Sequence, residues 1–206
     1  MNKVVIFDFD GVILDSMPIK TYAFCKIFEM FPKDAVEKLR VFHLQNGGIS
    51  RFVKIRYFFN DIIKESICDQ EVQRYASEFS AIVVEELVKP KYLILETMEF
   101  IEAICKTKRL FIASGAEEEE IRFLCRTLGI DGYFEEIYGS PTPKSRLLKM
   151  ILDNGKVDAK ECVMIGDSIN DYEAAIKNKI PFHGYNNEEL RSLGKYIDSF
   201  KGFCID

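Results

Sequence analysis

The sequence predicts an α/β protein, with a doubly wound parallel sheet and an inserted all-helical domain. Short apolar segments alternate with segments of helical periodicity in most of the chain, a pattern typical of parallel sheets with right-handed crossovers. One long stretch shows helical periodicity alone. We therefore predict a core formed by residues 1–15 and 90–206, and a helical domain formed by residues 16–89.

The first predicted strand begins at Val4 and runs directly into Asp8 and Asp10, which are followed by Gly11. Its uninterrupted apolar run is typical of a strand that is buried on both faces. Ligands of open α/β sheets bind at the carboxyl ends of strands, so this strand can deliver both carboxylates to a site. The alternative is a tight turn, because Asp and Gly are common turn residues.

The predicted insert begins at Ser16, which we expect to cap a helix that carries Pro18 in its first turn. Gly47 and Gly48 separate the second helix from the third. The four predicted helices span residues 17–31, 35–44, 49–63 and 69–88. The aromatic residues of the third helix are expected to form the core of the insert rather than a binding surface.

After Pro90 the chain returns to alternating strands and helices. Gly129 is expected to end one helix, Thr142 to cap another with Pro143 as its first residue, and Pro181 to mark an edge strand. The predicted strands are 110–113, 134–138, 161–165 and 180–184. The predicted helices are 95–105, 117–128, 142–152 and 169–178.

Composition excludes several classes of protein. A net charge of −5 provides no basic surface for nucleic acid, and no apolar run approaches the length of a membrane span. The N-terminal residues do not resemble a signal peptide. Six scattered cysteines and two histidines form no zinc-binding spacing, and they favour a reducing cytoplasm over a disulfide framework.

Polar residues follow the predicted strands or begin the predicted helices at four places. Asp8 and Asp167, on different strands, can both reach a Mg²⁺ ion, and Asp171 can hold one of its waters. A capped helix with acidic residues near its positive end is the alternative for residues 166–171. The complete set is Asp8, Asp10, Ser114, Lys144, Asp167 and Asp171.

Two of these positions suit a phosphate group. Lys144 lies in a first helical turn, where a cation opposes the helix dipole unless an anion is bound there. Ser114 and the backbone amides around Gly115 can bind phosphate oxygens at the next helix N-terminus. A solvated surface lysine is the alternative for Lys144. The acidic run 117–120 is explained by the helix dipole, and we assign it no chemistry.

The two aspartates of the first strand suit phosphoryl transfer. Asp8 can attack phosphorus and form an aspartyl-phosphate, while Asp10 can protonate the leaving oxygen and later activate water. We expect Asp8 to remain ionised beside a cation, and Asp10, without a cation contact, to be protonated.

These residues, taken in order, resemble the haloacid dehalogenase-like (HAD) hydrolases, and the match covers the whole chain. The resemblance is based on residues 8–12, Ser114, Lys144 and 166–171. It implies a Rossmann-like core and a helical C1 cap. It also implies that Asp8 is the nucleophile, Asp10 the acid/base, and Ser114 and Lys144 the phosphate ligands. Mg²⁺ would be bound by the Asp8 side chain, the Asp10 carbonyl and Asp167, with support from Asp171. The second aspartate argues against dehalogenation.

Within this family the chain is similar to the phosphoglycolate phosphatase and β-phosphoglucomutase branch. Lys20 falls where the mutases carry a histidine, which argues against mutase activity. Arg51 and Lys54 share one helix face near Asn46 and could meet a second anionic group or sugar hydroxyls. Solvated cations beside a helix–helix turn are the alternative.

The sequence therefore predicts a Mg²⁺-dependent phosphatase for a small phosphorylated metabolite such as a sugar phosphate or phosphoglycolate. A sugar phosphomutase and a non-catalytic binding protein are the other two hypotheses. The expected partner is a small phosphate ester, and neither nucleic acid nor membrane is expected. The substrate and the oligomeric state do not follow from the sequence.

Overall fold

The computed structural model describes residues 3–205. It contains a six-stranded, entirely parallel sheet with the strand order β3-β2-β1-β4-β5-β6. This is a doubly wound arrangement, and the predicted fold class is confirmed. The strands are β1 (Val4–Phe7), β2 (Arg109–Glu117), β3 (Glu136–Ser140), β4 (Cys162–Gly166), β5 (Phe182–Tyr185) and β6 (Lys195–Ile197).

Helices lie on both faces of the sheet and in the segment between β1 and β2. The α-helices are α1 (Met17–Ile27), α2 (Lys33–Gln45), α3 (Arg51–Tyr57), α4 (Asp69–Leu87), α5 (Leu95–Ile104), α6 (Glu118–Thr127), α7 (Lys144–Gly155) and α8 (Ile169–Lys177). A π-helix, Phe58–Ile63, continues α3 directly, and short 3₁₀ turns join several other elements. None of the helices within residues 3–205 has the length and apolar character needed to cross a membrane.

Strand β1 lies between β2 and β4, and each of its residues is completely buried. Val4 and Ile6 pack in the apolar layer formed with α7 and α8, whereas Val5 and Phe7 pack in the layer formed with α5 and α6. Alternate residues of a strand point to opposite faces, so one continuous apolar run fills both layers. Asp8 is the first residue past this run.

Three details of the predicted core were wrong. Strand β5 lies between β4 and β6, so it is an inner strand, and Pro181 precedes it rather than marking an edge. Strand β2 continues through Ser114 to Glu117, with a register irregularity against β3. Pro143, not Thr142, is the cap residue of α7, so that Lys144 is its first helical residue.

Helices α1–α4 and the π-helix form one continuous segment, which we call the helical insert. Phe28, Phe58, Phe59 and Tyr75 form an aromatic cluster inside it. Phe58 and Phe59 are core residues, as expected from the sequence, whereas Phe52 and Tyr57 are only partly buried. The third predicted helix is divided because the backbone changes to π-helical geometry at Phe58.

The two connections between the insert and the sheet run side by side. Leu14 and Leu93 form an antiparallel bridge. The Asp15 amide donates to the Tyr92 carbonyl (2.8 Å), and the Ile94 amide donates to the Ile13 carbonyl (2.9 Å). The chain therefore enters and leaves the insert through a short two-stranded ribbon.

Candidate active site

The candidate site lies where the strand order reverses, at the carboxyl ends of β1 and β4. The Asp8 amide donates to the Ile165 carbonyl (2.9 Å), which ties the chain just after β1 to β4. Gly11 adopts a φ of +73°, and a Cβ atom there would lie 2.0 Å from Asp167 Oδ2. Only glycine leaves room for the Asp167 carboxylate at this turn.

Three carboxylates meet at this edge. Asp8, Asp167 and Asp171 each place an oxygen within 4.8 Å of the others. Burial, together with the charge of Asp171, raises the pKa of Asp8 to about 7. Burial and the charges of Asp8 and Asp171 raise the pKa of Asp167 well above its ordinary value. This cluster needs positive charge if all three groups are to be ionised.

Lys144 supplies part of that charge. Its Nζ lies 2.8 Å from Asp8 Oδ1 and also donates to Asp171 Oδ1. Although burial opposes the charged form, Asp171 and Asp8 raise the pKa of Lys144. The lysine is buried, so the alternative of a solvated surface side chain is wrong. Ser168 caps α8, and Asp171 completes the capping box by accepting from the Ser168 amide (3.0 Å), so the helix-cap interpretation also holds.

The surroundings of Asp10 differ from the sequence prediction. Its Oδ2 accepts from Lys20 Nζ (2.5 Å), and its Oδ1 accepts from the Ser16 hydroxyl (2.5 Å). Ser16 precedes α1, but its side chain forms no cap hydrogen bond because it binds Asp10 instead.

The expectation that Asp10 is protonated for want of a cation contact is therefore wrong. Burial raises the pKa of Asp10, but the charge and hydrogen bond of Lys20 and the hydrogen bond of Ser16 outweigh it and lower that pKa. The pKa of Asp8, by contrast, is raised to about 7. Sequence spacing could not show the Lys20 contact, because it joins the insert to the loop after β1.

Ser114 and Gly115 lie in the irregular end of β2, beside the insert. The Ser114 hydroxyl is buried and accepts from the Ala116 amide (3.1 Å). A Cβ atom at Gly115 would lie 2.2 Å from the Gly48 carbonyl oxygen. The Gly47–Gly48 turn therefore lies directly over the predicted phosphate-binding segment, and the insert is packed closely against the sheet edge.

A second ion pair, besides that of Lys20 with Asp10, joins the insert to the core. Arg51 in α3 and Glu120 in α6 form a bidentate pair, with Arg51 Nη1 2.7 Å from Glu120 Oε2. Both side chains are only 3% exposed. Arg51 also donates to Ser80 and lies over the Phe79 ring, with Cζ 4.7 Å from the ring centroid. We assigned Glu120 no role from the sequence, and its partner lies 69 positions away.

Lys54 and His43 form a second buried pair in the insert. Lys54 Nζ lies 2.9 Å from His43 Nδ1, and both residues are buried. From the sequence, His43 is the first residue of the segment 43–51 that we consider for substrate selection, but we assigned it no role of its own. Asn46 is half-buried, and its side chain donates to the Phe42 carbonyl (2.9 Å).

The assembled residues correspond to a known family. The sequence profile of the haloacid dehalogenase-like hydrolases matches residues 2–178, most of the chain. The chain belongs to the haloacid dehalogenase-like hydrolase family. Family membership and the predicted enzyme class, a phosphoric monoester hydrolase, are confirmed.

Two curated relatives of this HAD-like chain are named as phosphatases. A phosphorylated carbohydrates phosphatase of Thermotoga maritima is 26% identical over 181 residues, which cover 84% of this chain and 80% of that protein. A phosphoglycolate phosphatase of Colwellia psychrerythraea is 26% identical over 217 residues, which cover 99% and 96%.

Solved structures share the fold. β-Phosphoglucomutase from Clostridium difficile has a TM-score of 0.79 at 18% identity, with 100% of this chain and 94% of that chain covered. CbbY from Rhodobacter sphaeroides, solved with xylulose-(1,5)bisphosphate, has a TM-score of 0.77 at 16% identity, with 97% and 95% covered. The HAD-like fold thus extends over the whole chain, insert included.

The acidic cluster also fits the metal that this family implies. Carboxylate oxygens are the ligands that Mg²⁺ prefers, and the ion retains several waters, so few protein ligands are needed. Asp8, Asp167 and Asp171 converge on one region, and Gly11 keeps it open beside Asp167. A divalent cation there would hold the carboxylates ionised against their mutual repulsion.

Proposed function

We propose that this protein hydrolyses the phosphate monoester of a small metabolite, a sugar phosphate or a phosphoglycolate-like compound. The observation that carries the proposal is the arrangement of Asp8, which contacts Lys144 and lies beside Asp167 and Asp171 at the end of β1. A buried carboxylate surrounded by cationic and metal-binding groups is suited to attack on a phosphoryl group.

In this proposal Asp8 attacks phosphorus, the bond to the leaving oxygen breaks, and an aspartyl-phosphate forms. Asp10 gives a proton to the leaving oxygen and then takes one from the water that hydrolyses the intermediate, which frees phosphate and Asp8. The Lys20 contact suits the second step because it favours ionised Asp10. Lys20 Nζ, 2.5 Å away, also holds the Asp10 carboxylate in position.

We propose that Asp8, Asp167 and the Asp10 carbonyl hold Mg²⁺, with Asp171 in support. A bound Mg²⁺ ion neutralises developing charge on the transferred phosphoryl group. Lys144, Ser114 and the Gly115 amide would bind the phosphate oxygens. Lys144 is well placed for this because it already lies between Asp8 and Asp171.

We further propose that residues 16–89 act as a cap over this site, with Lys20, Asn46, Arg51 and Lys54 as candidates for substrate selection. The close approach of Gly48 to Gly115 supports this role. Arg51 is already paired with Glu120, and this pairing limits the part that Arg51 can play in substrate binding. We also propose a cytoplasmic location, since none of the six cysteines forms a disulfide.

The test is phosphate release from a panel of sugar phosphates, phosphoglycolate, nucleotides and bisphosphates, with Mg²⁺ and with chelator. We expect Mg²⁺-dependent release concentrated on one chemical class. Asp8→Asn should abolish release, whereas Asp15→Asn, a matched change at an exposed aspartate, should not. With a substrate whose phosphoryl group is radiolabelled, the parent protein should also acquire label through a bond that hydroxylamine cleaves.

Other outcomes identify the other hypotheses. An isomerised sugar phosphate that forms only with a bisphosphate activator would identify a phosphomutase. If Asp8→Asn released phosphate at the parent rate, Asp8 would not be the nucleophile. No turnover with any compound, together with tight binding of one of them, would identify a binding protein.

A further inference from the structure

The segment that follows β5 reaches the two loops that carry the proposed metal ligands. Asn186 and Asn187 come directly after this strand. Asn186 Nδ2 donates to the Gly11 carbonyl (3.0 Å), and Asn187 Nδ2 donates to the Asp167 carbonyl (2.8 Å). Gly11 lies in the turn after β1 and Asp167 in the loop after β4, so two consecutive side chains hold two different loops. We call Asn186 and Asn187 the asparagine clamp.

Asn187 uses both ends of its side-chain amide. Its Oδ1 accepts from the Glu189 amide (3.1 Å) and caps the short 3₁₀ turn Glu188–Ser192. A side-chain amide has one accepting oxygen and one donating nitrogen, so the contact of Oδ1 with Glu189 directs Nδ2 towards Asp167. The 3₁₀ turn on one side and the Asp167 carbonyl on the other therefore fix the orientation of Asn187.

Asn186 reaches Gly11 from an unusual backbone conformation. Its φ is +54°, in the left-handed region, which asparagine tolerates better than most other residues with a side chain. Asn186 is exposed, whereas Gly11 is buried. A buried carbonyl group needs a hydrogen-bond donor, and Asn186 supplies one to the turn after β1.

Asp167 depends on its backbone for its position. Lys144 holds Asp8 and Asp171 through their carboxylates, but among the described residues no hydrogen bond is made to the Asp167 carboxylate. This carboxylate lies so close to Gly11 that a Cβ atom there would be 2.0 Å from Asp167 Oδ2. A cavity of about 710 Å³ borders Asp167 and the asparagine clamp, so apolar packing does not hold the loops on this side.

We infer that Asn186 and Asn187 are positioning residues that fix the separation of the Asp10 carbonyl from the Asp167 carboxylate, and that they thereby select Mg²⁺ over the larger Ca²⁺. This inference rests on the proposed metal site. The Gly11 carbonyl is next in the chain to that of Asp10, and Asn187 holds Asp167 itself. Mg²⁺ demands nearly ideal octahedral geometry with bonds of about 2.0–2.1 Å, whereas Ca²⁺ accepts flexible geometry at about 2.3–2.6 Å. Loops that are held close together favour the smaller ion.

The test is calorimetric titration of the parent protein and a double variant with MgCl₂ or CaCl₂, in the absence of substrate. Asn186→Gly removes one donor and suits the positive φ, while Asn187→Ser removes the other amide but keeps an oxygen that can cap the 3₁₀ turn. The Kd for Mg²⁺ should rise by about 10- to 100-fold, the effect typical of residues that orient metal ligands. The Kd for Ca²⁺ should rise by a smaller factor, so the preference for Mg²⁺ should decrease.

Asn178→Ser is the matched control. Asn178 also donates from Nδ2 to backbone carbonyls, those of Ser145 (2.8 Å) and Ala174 (2.9 Å), but it joins α8 to α7 at the far end of α8 from Asp167. This variant should lower Tm, as the double variant does, yet keep the parent Kd for both ions. A parent-like Mg²⁺ affinity in the double variant would overturn the positioning role. Equal factors of loss for Mg²⁺ and Ca²⁺ would overturn the selection between them.

Titration without substrate separates this inference from the proposed function. Weaker and less selective ion binding by the double variant, when the parent hydrolyses no ester, would support the asparagine clamp and contradict the phosphatase. Unchanged ion affinities, together with Mg²⁺-dependent hydrolysis by the parent, would overturn the clamp and leave the phosphatase intact. A parent protein that binds neither ion would overturn both the clamp and the proposed metal site. If the double variant does not fold, Asn187→Ser alone provides the same comparison.

Discussion

Glu120→Gln should destabilise the protein by far more than a surface substitution. The change keeps the size of the side chain but leaves the Arg51 guanidinium, 3% exposed, without its counter-charge. Removing one partner of a buried ion pair costs about 3–5 kcal/mol. For a domain of this size, each kcal/mol lowers Tm by about 2–4 °C, so the expected decrease is about 6–20 °C.

Urea unfolding followed by far-UV circular dichroism at pH 7 measures this loss. Glu119→Gln is the matched control, because Glu119 is the exposed neighbour in the same helix, and it should change stability by less than about 0.5 kcal/mol. Replacing both partners, with Arg51→Met and Glu120→Leu together, should restore most of the loss, since well-packed apolar residues can replace buried pairs. An effect of Glu120→Gln no larger than that of Glu119→Gln would refute the reasoning, because it would mean that water reaches the pair in solution.

Three further outcomes are expected. Mg²⁺ at about 100 times its Kd should stabilise the parent by about 2.7 kcal/mol in thermal unfolding. Asp167→Asn should lose most of that gain, and an equal gain in both proteins would exclude the proposed metal site. Burial lowers the pKa of His183 to about 4, while the unfolded chain protonates near pH 6.5, so stability present at neutral pH is lost as the pH falls. Between pH 7 and pH 5, His183→Phe should therefore lose about 2 kcal/mol less unfolding free energy than the parent, and parallel pH curves would contradict this. Gly115→Ala places a methyl group 2.2 Å from the Gly48 carbonyl and should reduce kcat/KM in the phosphate-release assay at least about 10-fold, whereas parent-like activity would show that the insert does not have to close this tightly.

The parallel core could be predicted from the sequence because each signal that defines it lies within a short stretch of the chain. An apolar run that ends in Asp8 identifies both a buried strand and the end at which a ligand binds. The same reasoning applies to the strand before Asp167. Strand β6 was missed because it has only three residues, Lys195–Ile197, of which only the last is apolar and buried. Missing it led directly to the wrong interpretation of β5 as an edge strand.

The contacts between the insert and the core could not be predicted in the same way. Lys20 and Asp10 are ten positions apart, and Arg51 and Glu120 are 69 apart, so no helical or strand periodicity connects them. Each pair depends on how the insert packs on the sheet, which is a tertiary property. The acidic run 117–120, which includes Glu120, did contain a hint, since four consecutive acids exceed what one helix N-terminus requires.

The ribbon at the base of the insert makes that segment an exchangeable module. Because Leu14 and Leu93 are bridged, the two points at which the chain departs from the sheet and returns to it are neighbours in space. A different folded unit could be joined there whatever its length, provided that its own ends meet, and the sheet would keep its register. The hydrolytic groups of the core and the selecting groups of the insert could therefore diverge independently among descendants of a common ancestor.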